Sequence, residues 1–332
     1  MGAGVGRKRQ RQKGKGTKEK EPIISAIGPV AALLVACAFF ASQSDRFLSG
    51  QNFSLILQQV VVIGVIAIGQ TLVVLTAGID LSCGMVMALG SIVMSKAAVD
   101  LGMSSAAAIA CGMLTTVVFG FLNGALITLI RLPSFIVTLG TLNIAFAITQ
   151  IYSESQTVSG LPDGMVVLGD TFRVGDTAVT YGTVLMLTLY LLVWVALRET
   201  AVGRHIYAVG NNAEAARLMG IPTARLILGV YTFAGLTYGI AALLAVARTG
   251  VGDPQAGQTD NLDSITAVVL GGTSLFGGRG VILGSLVGAL IVGVFRNGLT
   301  LMGVASVYQI LITGILVILA VATDQVSRRR GA

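Results

Sequence analysis

Charge is scarce in this chain. Only 11% of its 332 residues are charged, against about 25% in soluble domains. Hydrophobic residues make up 54%, and the mean hydropathy is +0.86. A water-soluble single domain is therefore excluded. Histidine is nearly absent: His205 stands alone, so a histidine metal cage or a Ser-His-Asp triad lacks its material. Cys37, Cys83 and Cys111 are far apart in apolar context. They form no CxxC pair and no disulfide framework, and read as small buried hydrophobes. No GxxxxGK[ST] sequence occurs, and the run GGTSLFGGRG at 271–280 lacks the Lys–Ser/Thr ending. Binding and hydrolysis of ATP by this chain alone is thus not expected. Without an acid pair, a metal cluster or an activated nucleophile, an enzyme embedded in the membrane is a distant reading. There are 43 glycines and 6 prolines, but glycine keeps no three-residue period, which excludes collagen.

What is present is a series of apolar stretches, each near the ~20 residues that a membrane helix needs. They cover 23–42, 55–77, 84–99, 104–130, 134–152, 181–197, 226–247, 264–275, 281–302 and 308–323. The segments 84–99 and 264–275 are short, and could be tilted, broken or re-entrant. Most of the 22 basic residues fall at alternate ends: the N-terminal run from Arg7 to Lys20, Arg131, the loop 198–225, Arg279, and Arg328–Arg330. Acids such as Asp100, Glu154, Asp163, Asp170, Asp253 and Asp260 collect on the opposite side. Basic residues stay in the cytoplasm, which puts both termini inside and requires an even number of spans. The expected fold is an all-α polytopic membrane protein with about ten transmembrane helices, or eight if both short segments fail to cross. Residues 1–22 read as a basic disordered cytoplasmic tail, 23–324 as the transmembrane domain, and 325–332 as a second basic cytoplasmic tail. The first apolar stretch is longer than a signal-peptide core, which favours a retained span. The lysine-rich tail suits anionic lipid better than nucleic acid.

The outer loop 153–180 is long enough for a strand pair or surface helix. In the inner loop 198–225, Asn211 followed by Glu214 resembles a capping box. Gly220 and Pro222 then stop a helix of about two turns. Such a helix is marginal alone and must be packed, either on its own membrane domain or into a partner. Laying 74–91 over 268–285 pairs Gly78/Gly272, Leu81/Leu275, Gly84/Gly278, Leu89/Leu283, Gly90/Gly284 and Ser91/Ser285, which suggests a two-half repeat. Asp80 reads as a helix-capping acid at the inner boundary or as a buried acid in a proton pathway. No second intramembrane acid or histidine accompanies it. Arg248 and Arg296 fall near span ends and are expected to snorkel. Gln58, Gln59, Gln70, Asn123, Asn143, Asn297 and Gln309 lie within spans, where they either hold helices together or line a path for a neutral hydroxyl-rich solute. The spacings Gly120/Gly124, Gly235/Gly239 and Gly280/Gly284/Gly288 allow close helix contact.

Several strings carry a more specific likeness. TLVVLTAGIDLSCG (71–84), SFIVTLGTL (134–142), GRHIYAVGNNAEAARLMGI (203–221) and LDSITAVVLGGTSLFGGRGVILGSLVGALIVGVFRNGL (262–299) resemble the ribose/xylose/galactose-type permeases of bacterial ABC importers. The resemblance runs from about residue 28 to 324, and Cys83 departs from the small or β-branched residue expected after GIDLS. It implies a multi-pass permease of the bacterial inner membrane that works as a homodimer. A separate ATP-hydrolysing subunit would hold ATP and Mg, with no cofactor on this chain. An extracytoplasmic binding protein would deliver the sugar, docking at the outer loops 153–180 and 248–263. The resemblance further implies an ATPase-coupling helix at Asn211, Asn212, Glu214, Ala215, Ala216, Arg217, Leu218, Met219 and Gly220. Candidates for the translocation path or gate are Gln70, Gly78, Asp80, Ser82, Asn143, Gly271, Gly272, Thr273 and Ser274. The implied mechanism is alternating access, with membrane lipid around it and no nucleic acid. A self-sufficient secondary carrier or channel for a neutral polar solute is the alternative. Which sugar is carried is not written in these strings.

Overall fold

The computed structural model describes residues 21–331, so the basic run up to Lys20 lies outside the described residues. The chain folds into α1 (Glu21–Gln43), α2 (Gly50–Leu75), α3 (Cys83–Val99), α4 (Ser105–Leu129) and α5 (Ser134–Ser153). A short α6 (Asp163–Val166) leads to a hairpin of β1 (Thr171–Val174) and β2 (Thr177–Thr180). Then follow α7 (Tyr181–Glu199), α8 (Ala201–Asn211), α9 (Ala213–Leu218), α10 (Thr223–Thr249), α11 (Asp260–Leu270), α12 (Ile282–Leu301) and α13 (Ser306–Gly331). By length and composition α2, α4, α5, α7, α10 and α12 can cross a membrane. Helix α13 continues through Arg328–Arg330 to Gly331.

Hydroxyl side chains start several of these helices, because the first turn has unpaired N–H groups. Ser49 accepts from the amide of Asn52 (3.2 Å), Thr180 from Thr183 (3.1 Å) and Thr200 from Gly203 (3.2 Å). Helix α2 is the centre of the bundle, with most of its length enclosed by α10, α12, α11 and α7. The short α3 is also interior: nearly every residue from Cys83 to Ala98 is buried. Helices α4 and α10 meet backbone to backbone, as the glycine spacing predicts. A Cβ on Gly120 would stand 3.0 Å from Gly235 Cα, and one on Gly124 would stand 3.0 Å from Leu228 Cα. Gly284 and Gly288 likewise abut the backbone of Gly271 and Ala267, whereas Gly280 lies in the turn before α12.

The apolar segment 264–275 is not helical throughout. Helix α11 stops at Leu270 and residues 271–281 form a turn-rich break, with φ of +86° at Gly272, +81° at Gly277 and +69° at Gly278. These are left-handed conformations that glycine alone adopts without strain. A shorter break, 76–82, separates α2 from α3, so the two aligned segments share a helix–break–helix pattern. The breaks also touch: the Gly278 amide donates to Leu75 O (3.0 Å), and Thr71 Oγ1 donates to Ser285 Oγ (2.8 Å).

The loop 153–180 contains both a short helix and a strand pair, in register Thr171↔Thr180 to Val174↔Thr177. Ser54 of α2 accepts from the Ala178 amide (2.7 Å) and ties down the hairpin. Val158 and Gly252 exchange backbone hydrogen bonds of 2.8 and 2.9 Å. This bridge joins the loop after α5 to the loop after α10.

Candidate functional site

Three features of the bundle could serve transport: a polar cavity, a buried polar cluster and a surface knob. The cavity measures about 560 Å³, within the range of ~300–1,000 Å³ usual for small-molecule sites. It opens where α10 ends and α11 begins. Gln59 of α2, Ser91 of α3 and Thr300 of α12 line it, with Gln255 and Gln258 from the connecting loop. Its charges balance: Arg248 and Arg296 face Asp253 and Asp260. Arg296 Nη1 donates to Asp263 Oδ2 at 3.2 Å. Arg296 is thus paired with a carboxylate on the adjoining α11. Of the polar span residues expected to line a path, Gln59 and Gln309 lie on this cavity, whereas Gln70, Gly78, Asp80, Ser82, Asn143 and Gly271–Ser274 do not. Local sequence could not show that the lining residues meet, since they come from elements far apart in the chain.

The buried cluster holds several of those expected residues. Asp80, fully enclosed, accepts from the Ser82 amide (2.8 Å) and hydroxyl (2.6 Å) through Oδ1, and from Tyr238 through Oδ2 (3.0 Å). It thus folds the turn just ahead of α3 from inside the protein. Gln70 Nε2 donates to Asp80 O (2.5 Å) and Asn123 Nδ2 to Ser82 Oγ (3.0 Å). Ile79 joins α5, its amide donating to Ser134 Oγ (3.2 Å) and its carbonyl accepting from Thr138 (3.1 Å). Gly78 packs beneath the Tyr231 hydroxyl. One break thereby binds α2, α3, α4, α5 and α10 together. Thr273 and Ser274 are buried in the other break beside Gly271, while Gly272 is exposed. Asn143 stands apart on the exposed side of α5 and bonds only to Leu139 O (3.0 Å) among the described residues.

The knob is α8 and α9. The capping residue of α9 is Asn212, whose Oδ1 accepts from the Ala215 amide (2.9 Å). Asn211 is instead the last residue of α8, so the expected box at Asn211 is displaced by one position. Glu214 turns outward to Arg217 (2.7 Å). That hydrogen bond holds the Glu214 carboxyl below its ordinary range and raises Arg217. Only Ala216 of α9 is buried; Leu218 and Met219 are 78% and 73% exposed. Their apolar side chains are therefore not covered by the protein's own membrane domain. Sequence reasoning missed α8 altogether, although Ile206 and Val209 behind Thr200 are its signal. Helix α8 buries Gly203, Ile206, Val209 and Gly210. Tyr207 donates to Gly280 O (2.9 Å), and Gly210 lies against Leu75 and Gly278. The knob thus rests on both breaks. From knob to cavity runs α10, whose 27 residues span ~40 Å at 1.5 Å per residue.

This arrangement has relatives. A family profile described as "Branched-chain amino acid transport system / permease component" matches residues 52–321. The chain is 42% identical over 313 residues to a fructose import permease protein of Rhizobium meliloti, covering 93% of this chain and 87% of that protein. It is 37% identical over 305 residues to a ribose import permease protein of Bacillus subtilis, with coverages of 91% and 94%. To a D-allose transport system permease protein of Escherichia coli it is 34% identical over 316 residues, with coverages of 92% and 95%. A match of this extent, over a bundle with a polar cavity and an uncovered knob, means that the chain belongs to the family of branched-chain amino acid transport system permease components.

Proposed function

We propose that this chain is the membrane permease subunit of an ATP-binding-cassette importer for a monosaccharide, working by alternating access as a homodimer in a bacterial inner membrane. Both termini and the α8–α9 knob face the cytoplasm, and the bundle counts ten membrane segments, of which α11 with its following break is one. The observation that carries this reading is the pairing of a charge-balanced polar cavity with an uncovered apolar knob at opposite ends of α10. The knob offers Leu218 and Met219 to a separate ATPase, which holds ATP and Mg. The loops joined at Val158–Gly252, beside the cavity, receive the sugar-binding protein. The two breaks, with Gln70, Gly78, Asp80, Ser82 and Gly271–Ser274, close the path between cavity and knob. Asn143 meets the path only across a contact with the second copy.

The family description names branched-chain amino acids, but the relatives reported above carry sugar names. Amides, hydroxyls and compensated charge suit a neutral polyol. Nucleotide turnover on the partner shifts the population between the two open states only if it binds them unequally; the knob is where that difference acts. The test is reconstitution in liposomes. Uptake is expected only when ATP, the ATPase and sugar-loaded binding protein are all supplied. Uptake by this chain alone, without ATP, overturns the reading in favour of a self-sufficient carrier.

A further inference from the structure

The cavity contains one acid whose bonding is incomplete. Asp260 opens α11 and lines the cavity, yet among the described residues its carboxylate receives no hydrogen bond. Arg248 and Arg296 both lie near enough to act on its charge. Arg296 has five N–H donors and gives one of its nitrogens to Asp263, whose side chain is 7% exposed. Arg296 also lines the cavity. So does Gln59, whose Oε1 is buried without a partner among the described residues. The site therefore presents acceptors and donors of both charge signs, Asp253 and Asp260 with Arg248 and Arg296. Alternating donors and acceptors match vicinal hydroxyls. Among the described residues no aromatic ring lines the cavity, so a sugar held there lacks a stacking surface and is held weakly, as passage requires.

Resting on the sugar-permease reading, we propose that Asp260 and Arg296 form a transient monosaccharide site within the permease, the carboxylate accepting from and the guanidinium donating to hydroxyls of the passing sugar. Selectivity is then set a second time in the membrane, after delivery. The test measures ATP-driven uptake of D-ribose, D-fructose and D-allose, and of their singly deoxygenated analogues, by the complete importer in vesicles, normalised to permease content. With Asp260→Asn or Arg296→Lys, uptake of the parent sugar is expected to fall about tenfold, the effect of weakening a charged hydrogen bond. Its advantage over at least one deoxy analogue should collapse. The binding protein is common to wild type and variants, so a changed ratio reports the permease. An equal loss for parent and deoxy sugars overturns the site and leaves the sugar-permease reading standing. Absence of ATP-driven uptake of all these sugars by the wild type overturns that reading and the site with it. Should both variants fail to reach the membrane, Gln59→Met, which removes the unpartnered acceptor, is judged by the same ratio.

Discussion

Tyr238 donates to a carboxylate that has no access to water, and the cost of losing that donor is correspondingly large. Tyr238→Phe should destabilise the protein by about 1–3 kcal/mol, the penalty for a buried acceptor left short of a partner. Thermal unfolding in detergent measures it. Tyr231→Phe is the control: its hydroxyl makes a long bond of 3.4 Å to Ile79 O, which Thr138 also supplies, and a further contact with Ser134, so a smaller loss is expected, and equal effects of the two changes would refute the assignment. Individual residues such as these were only partly legible in the sequence. Asp80 was visible as an isolated acid in an apolar run, but its three donors come from Ser82, two positions away, and Tyr238 on α10. Asn211 and Asn212 are adjacent caps of equal chemistry, and the choice between them is made by α8, which runs through Asn211. Asp260 and Arg296 are brought to one cavity by the packing of α11 on α12, which leaves no local trace.

Helix α9 is short enough that its order depends on its caps. The Glu214 carboxyl is held below its ordinary value by Arg217, so the contribution of this pair is present above the unfolded carboxylate range and is lost as pH falls through the folded value. Protection factors for amide exchange at Ala215–Gly220, which remove the intrinsic slowing of exchange in acid, should therefore fall as pH drops below the ordinary carboxylate range while those of α8, which is anchored by buried residues, hold; a uniform change across both would contradict this. Leu218→Asp puts a charge on the exposed apolar side of α9. The variant should lose co-purification with the ATPase while inserting normally, and retained association would remove α9 from the coupling role. Helices were well read from sequence because burial in lipid demands continuous apolar length. The expected starts and ends of α4, α5 and α12 lie within a residue or two of those observed. The exceptions were α8, which is too polar to register as a span, and 271–281, where glycines break a run that is apolar enough to look helical.

For the molecule as a whole, long spans set the frame and small residues set how tightly it closes. The halves suggested by the 74–91 and 268–285 alignment meet at their breaks, and the knob touches both through Gly210 and Tyr207. Packed contacts thus run from the knob to the end of α2 and to the break before α12. Gly235 lies near the middle of α10, where its backbone rests directly on Gly120 of α4. The seam does not end there: Gly124 rests on Leu228 and Gly239 on Met113, so the two helices are clasped over several turns. Any side chain larger than hydrogen along this seam would wedge the pair apart, so α4 and α10 travel as one body or not at all.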